Sequence, residues 1–199
     1  MSLKSVPEAY TAKSREYIEA VGRIEHVAAP DLELVEAWAR SLEGPVLDVG
    51  CGPGQWTHHL AGLGVDIQGL DPAKAFIDSA RITYPSECFR IGQAEALGVE
   101  DSSLGGILAW YSLIHSLPAE LDAALAEFAR CVWPGGGLAL GFFTNSTPGL
   151  FEHAVAPAYY WPVELLSAKV EAAGFILTHT ETRSDRPARS HGAILATRI

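Results

Sequence analysis

Apolar positions along the chain start with helical spacing and then settle into short apolar runs separated by helical faces. Tyr10, Tyr17, Val21 and Ile24 stand seven, four and three residues apart, near one stripe of a helix. Asp31 is placed to N-cap a second helix carrying Leu34, Val35, Trp38 and Leu42, which Gly44-Pro45 stops. The rhythm then changes. Residues 46–49 form an apolar strand run, followed by a glycine-rich turn and a helical face of Trp56, Leu60 and Leu63. Residues 65–70 read as a second strand. Pro72 opens a helix with Ala73, Phe76, Ile77 and Ala80 on one face. Residues 88–91 and 107–111 are the third and fourth strands. Pro118 begins a long helix through Leu121, Leu125, Phe128 and Val132, and residues 138–143 make strand five. A last helix spans 162–173, and 175–180 with 193–199 are expected to close as a hairpin.

Strands alternating with helices predict an α/β fold, a doubly wound and mostly parallel sheet with helices on both faces. Right-handed crossovers bring the strand C-termini to one edge, where such sheets bind ligands. Chemistry is therefore expected at the ends of strands one to four.

Charge narrows the candidates. The 199 residues carry 14 Lys and Arg against 24 Asp and Glu, a net charge of −10, so a nucleic-acid partner is not expected. No apolar run reaches the ~18 residues of a membrane helix, and MSLKSVPEAY lacks the apolar core of a secretory leader. Three scattered cysteines without a CxxC pair suit a reduced, cytoplasmic protein, and the histidines lack HExxH spacing, so no metal is expected.

The turn after strand one, Gly50-Cys51-Gly52-Pro53-Gly54, removes three side chains where a strand meets a helix. A ligand can then lie against bare backbone. Asp48 sits two residues before the first glycine and would repel a phosphate, and no GK[ST] follows, so a Walker loop is excluded. A carboxylate here suits a ligand carrying a cation. The GxGxG spacing and Asp48 also speak against a nicotinamide-dependent dehydrogenase. Asp71 ends strand two, where an acid either accepts ribose hydroxyls or caps the next helix; its lone pairs allow both.

These stretches resemble the class I S-adenosylmethionine-dependent methyltransferases, nearest the small-molecule enzymes of the ubiquinone/menaquinone-biosynthesis type. VLDVGCGPGQW is similar to the family's first motif, IQGLDPA to its second-strand motif and IGQAEAL to the adenine-facing motif. LAWYSLIHSLP and VWPGGGLALGFF resemble the strand-four and strand-five stretches. The resemblance implies a seven-stranded sheet with an antiparallel last strand, an N-terminal helical lid over 1–44 and a methyltransferase domain over 45–199. It implies that S-adenosylmethionine is bound and S-adenosylhomocysteine released. Asp48, Gly50 and Gly52 would hold the methionine ammonium end, with Cys51, Gly54 and Trp56 in the same turn. Asp71 would take the ribose and Pro72 would pack on the adenine. Gln93, Ala94 and Glu95 would read the adenine edge, Trp110 and Tyr111 would end strand four against the cofactor, and Tyr10 and Tyr17 would cover it. Two departures stand out. Gln93 replaces the family's usual Asp, which removes charge assistance. Gly105-Gly106 replaces a Phe-Asp pair, which is expected to weaken packing before strand four and to shift that strand.

The activity implied is methyl transfer to a small-molecule acceptor by a monomer or homodimer. The alternative is a protein that binds the cofactor without catalysis, or a subunit of a methyltransferase complex. Alignment dominates such a displacement, and a base is needed only where the acceptor must lose a proton. His115 is the candidate base, or else a structural histidine before the next helix. His153, Tyr159, Tyr160 and Trp161 are candidate substrate contacts; the aromatic cluster is alternatively a hydrophobic staple under a loop. Arg183, Arg186 and Arg189 are expected to face solvent, and would suggest an anionic substrate if turned inward.

Overall fold

Strand β1 (Val46–Val49) is buried along its whole length, because helices cover both faces of the sheet it centres. The computed structural model describes residues 14, 16, 18, 19, 22–184 and 189–199. Tyr10, Tyr17 and Arg186 lie outside the described residues. Beside β1 run β2 (Ile67–Asp71), β3 (Cys88–Ile91), β4 (Leu104–Trp110) and β5 (Val132–Phe143), all parallel, and β8 (Phe175–Ser184) and β9 (Ser190–Arg198) complete the sheet. The strand order is β3-β2-β1-β4-β5-β9-β8, with β9 antiparallel to both neighbours. The doubly wound sheet with an antiparallel last strand is thus as the periodicity and the resemblance anticipated.

Side chains of β1 and β4 alternate between the two faces. Leu47, Val49, Ile107 and Ala109 join a core with α4 (Pro118–Cys131) and α5 (Val163–Ala172). Val46, Leu108 and Trp110 point the other way, to Val35 and Trp38 of α1 (Ala29–Arg40) and Trp56 and Leu60 of α2 (Gln55–Gly62). Helix α3 (Lys74–Thr83) adds Ile77 and Ala80 against Phe89. Strand order reverses between β1 and β4, so their C-terminal ends diverge around a crevice.

Four local features differ from the sequence expectations. Ala28, not Asp31, occupies the N-cap of α1; Pro30 fits the first turn, and Asp31 follows it into the helix and is buried. Gly105 and Gly106 do not loosen the sheet. A Cβ on Gly105 would lie 1.8 Å from Glu43 O and one on Gly106 2.4 Å from Leu42 Cδ1, so the glycine pair lets the end of α1 seat on β4. The expected shift of the strand is present as a register irregularity between Leu104 and Gly106 in the β4–β5 pairing. Strand β5 begins directly after α4, at Val132. Between β5 and α5 a small antiparallel hairpin forms, β6 (Gly149–Phe151) with β7 (Ala158–Tyr160). Its strands are too short to carry a periodic signal.

Candidate functional site

The glycine turn joins β1 to α2 with Gly50, Gly52 and Gly54 all at positive φ, +75°, +55° and +91°. Their reasons differ. A Cβ on Gly50 would lie 2.1 Å from Ser112 Cβ, so this glycine admits the loop after β4. A Cβ on Gly54 would lie 2.7 Å from the Phe89 ring; Gly54 serves packing and does not line the cavity. Gly52 alone faces open space, with nothing within 4 Å of its Cβ position, and it borders the cavity. Its missing side chain leaves room for a ligand against bare backbone.

Asp48 leaves β1 toward α2, and Thr57 Oγ1 donates to its Oδ2 at 2.7 Å. Asp71 ends β2 and ties two loops together. Its Oδ1 accepts from Ala73 N at 2.7 Å and its Oδ2 from Gly52 N at 3.0 Å. So Asp71 fastens the glycine turn and the start of α3, and each oxygen retains a lone pair for a ligand. Both acids are buried, at 2% and 7% exposure. Burial pushes Asp48 up to about 7 and Asp71 up to about 6; for Asp48 the neighbouring Asp71 adds to the rise while the Thr57 hydroxyl opposes it. A bound cation would reverse the penalty on both.

These groups open onto a cavity of about 410 Å³ along the strand-end crevice, within the range of small-ligand pockets. Of the residues expected at the site, Asp48, Gly50, Cys51, Gly52, Trp56, Asp71, Pro72, Trp110, Tyr111, His115 and His153 line it. Cys51 is buried with its thiol pKa pushed well up by burial, which keeps it unreactive. Trp56 meets Trp110 edge-on at 6.2 Å.

Beyond Asp48 the wall is aromatic. Tyr111 follows β4 at φ +57°, a conformation a bulky side chain adopts only under constraint. The constraint is visible: Tyr111 N donates to Gly141 O at 2.9 Å and its hydroxyl pairs with His191 Nδ1 at 2.7 Å. Phe143 packs on Tyr111 at 5.1 Å and on His191 at 5.4 Å. His115 Nδ1 donates to Pro157 O at 2.8 Å, which makes Nε2 the unprotonated nitrogen of the neutral ring. Burial lowers the His115 pKa below its ordinary 6.5, so that ring is neutral at pH 7. Its ring lies 5.3 Å from that of His153.

Other expected positions fall elsewhere. Gln93, Ala94 and Glu95 lie outside the cavity wall, in the loop after β3, although Gly92 N donating to Asp71 O at 3.2 Å sets that loop beside Asp71. Leu97 N donates to Glu127 Oε1 at 2.8 Å and Arg90 Nη1 to Leu97 O at 2.6 Å, so the loop is held by α4 and β3. Tyr159, Tyr160 and Trp161 do not line the cavity. Trp161 is buried against Leu166 and the sheet core, Tyr159 packs on the same core, and Tyr160 stacks on Phe151 at 4.1 Å. Tyr159 and Tyr160 are part of β7, and Tyr159 and Trp161 attach the hairpin to the core.

Arg183 does not face solvent: its Nη1 meets Asp31 Oδ1 at 2.9 Å, and both residues line the cavity. Arg189 stays near the surface, donating to Glu152 O and lying 4.8 Å over the Phe151 ring. Asp31, Ser112, Phe143 and His191 are thus cavity residues that sequence reasoning missed, while Arg183, expected to face solvent, turns inward onto Asp31 instead of standing open to an anion. Asp31 and Arg183 stand 152 positions apart, and nothing local in either segment announces their pairing. Ser112 Oγ is buried in the cavity wall without a hydrogen-bond partner in the protein.

A family described as a methyltransferase domain matches residues 46–136. A malonyl-acyl-carrier-protein O-methyltransferase of Erwinia billingiae is 32% identical over 124 residues, covering 62% of this chain and 48% of its own; the chain thus spans about half the length of this relative. Among solved structures, a 1,6-didemethyltoxoflavin-N1-methyltransferase of Burkholderia thailandensis, with S-adenosylhomocysteine bound, superposes at a TM-score of 0.75 with 17% identity, covering 100% of this chain and 92% of that one. SpnF, a cyclase, superposes at 0.81 with 17% identity, covering 100% and 98%. At such identities the likeness is one of fold, and the same fold carries different reactions, so the reaction is read from the site.

Proposed function

We propose that this chain is a class I methyltransferase that binds S-adenosylmethionine in the crevice and transfers its methyl group to a small molecule. The observation that carries this is the pair of buried carboxylates, Asp48 and Asp71, set around a glycine whose Cβ position is open. Two acids held in low dielectric favour a ligand that brings a cation and several hydroxyls. In this reading Asp48 takes the ammonium end and the free lone pairs of Asp71 take the ribose. Pro72 and the adjoining loop with Gln93, Ala94 and Glu95 lie on the adenine side, and Trp56, Trp110 and Tyr111 flank the middle of the cofactor.

S-adenosylmethionine supplies a sulfonium methyl group: as the acceptor atom bonds to the carbon, the carbon–sulfur bond breaks and its electron pair stays on sulfur in S-adenosylhomocysteine. The chain's share is alignment and proton removal. His115 Nε2 is the base, its tautomer set by Pro157 O. His153 lies beside it on the acceptor side. The proposed protein works as a monomer or homodimer in the cytoplasm; among the described residues no helix is long and apolar enough to cross a membrane.

Calorimetric titration with S-adenosylmethionine and S-adenosylhomocysteine tests the proposal. Micromolar binding of both is expected; absence of heat and of thermal stabilisation with either refutes it.

A further inference from the structure

Beyond β1 the cavity extends over the ends of β4 and β5 and the start of β9, where Phe143 and His191 are register partners. With neighbouring strands ~4.8 Å apart, the span from β2 to β9 is roughly 19 Å, enough for a nucleoside and a second molecule in line. The far part of this crevice has a particular chemistry. Rings form its wall without a break: Tyr111 to Phe143 at 5.1 Å, Phe143 to His153 at 6.2 Å, His153 to His115 at 5.3 Å. Their planes are mutually tilted, so the wall offers both ring faces and edges, the geometry in which another aromatic ring gains most.

Charge selects further. Among the described residues lining the cavity, Arg183 is the one guanidinium, and it is committed to Asp31 at 2.9 Å with Glu181 a further 3.9 Å contact. Asp48 and Asp71 belong to the cofactor end, so beyond them the described charges are the Asp31–Arg183 pair, and an anionic acceptor would have to compete with Asp31 for the guanidinium.

We propose that the acceptor is an uncharged, planar aromatic or heteroaromatic compound bearing a hydroxyl or a ring N–H, received against the wall of Tyr111, Phe143, His153 and His115. The hydroxyl or N–H is the group from which His115 Nε2, the base proposed above, would take a proton. Asp31 acts here as a specificity residue, holding Arg183 away from carboxylates.

This acceptor class presupposes the methyltransferase activity proposed above, so the test has a separate cofactor arm. Full-length protein is first titrated with S-adenosylhomocysteine; failure to bind it overturns the methyltransferase proposal itself. The saturated complex is then titrated at pH 7.5 with matched pairs, 2-naphthol against 2-naphthoate and benzimidazole against benzoate. At least one uncharged member is expected to bind about tenfold or more tighter than its carboxylate counterpart. If none does, including the case where neither member of any pair binds, the acceptor class is wrong. Asp31→Asn releases the guanidinium and should swing the ratio toward the carboxylate by about tenfold; an unchanged ratio overturns the role of Asp31. Should that variant not fold, Arg183→Gln gives the opposite test. It should weaken carboxylate binding further and change binding of the uncharged partner less than about threefold, and stronger carboxylate binding refutes the inference.

Discussion

Replacing Asp48 by Asn should make the ligand-free protein more stable at neutral pH and a poorer binder of the cofactor. Asp48 is 2% exposed, and burial lifts its pKa from the ordinary 3.8 to about 7. At ~1.36 kcal/mol per pKa unit, a rise of that size corresponds to ~4 kcal/mol, the cost of carrying the charge in the folded state. The sign follows from proton counting. Below pH 4 the carboxyl is protonated in both folded and unfolded chains and costs nothing. Between about 4 and 7 the unfolded chain ionises first, so the folded state holds the extra proton and stability falls as pH rises. Above about 7 both are ionised and the full penalty applies. Asn keeps an oxygen for the Thr57 hydroxyl and removes the charge. Urea denaturation of wild type and Asp48→Asn between pH 4.5 and 8 should therefore give curves that separate with rising pH, the variant becoming the more stable by up to ~4 kcal/mol. Titration with S-adenosylhomocysteine at pH 8 should show the reverse order, the variant losing affinity by ~1.5–3 kcal/mol for the missing charged hydrogen bond. Parallel stability curves, or equal affinities, would refute the assignment of a desolvated carboxylate awaiting a cation.

Asp71→Ala removes the acceptor of both Gly52 N and Ala73 N; in denaturant titration near pH 4, where the folded carboxyl is protonated and no buried charge is relieved, a stability loss of ~3 kcal/mol is expected, together with weakened cofactor binding. Gly52→Ala places a methyl group in open cavity space at φ +55°. It should cost only ~1–2 kcal/mol of stability yet lower cofactor affinity at least tenfold, and an unaltered calorimetric isotherm would show that the glycine serves backbone conformation alone. His115→Gln should reduce kcat by roughly 10²–10⁴ while leaving S-adenosylhomocysteine affinity unchanged. Because burial lowers the His115 pKa, the wild-type rate should rise with pH through a value below 6.5 and then level off, and the variant should lose that limb.

Most of the β1–β5 framework and the glycine-turn end of the cavity were legible in the sequence. The reason is proximity along the chain. Asp48, the glycine turn and Thr57 fall within ten consecutive residues, and Asp71 marks a strand end on the same sheet edge. Strand–turn–helix units of this kind carry both their periodicity and their chemistry locally, so reading them needs no knowledge of distant contacts. Gly54 shows the limit even there. It belongs to the same pattern as Gly52, yet the Phe89 ring behind it, from a strand more than thirty residues later, makes it a packing glycine.

The aromatic end of the cavity was not legible, because it is made by juxtaposition. Tyr159, Tyr160 and Trp161 read as a pocket wall or a staple under a loop; the structure turns Tyr159 and Trp161 onto the core and Tyr160 onto Phe151. Arg183 and Arg189 sat in what reads as a polar hairpin; the antiparallel β8–β9 pairing brings the first to a buried carboxylate on α1. Local sequence alone determined that a strand ends in a glycine bend between two acids, since spacing, turn chemistry and strand burial all reside within a few residues. Tertiary structure alone decided which rings meet beyond it and which charge is neutralised, since long-range pairs such as Asp31–Arg183 exist only once seven strands have found their order.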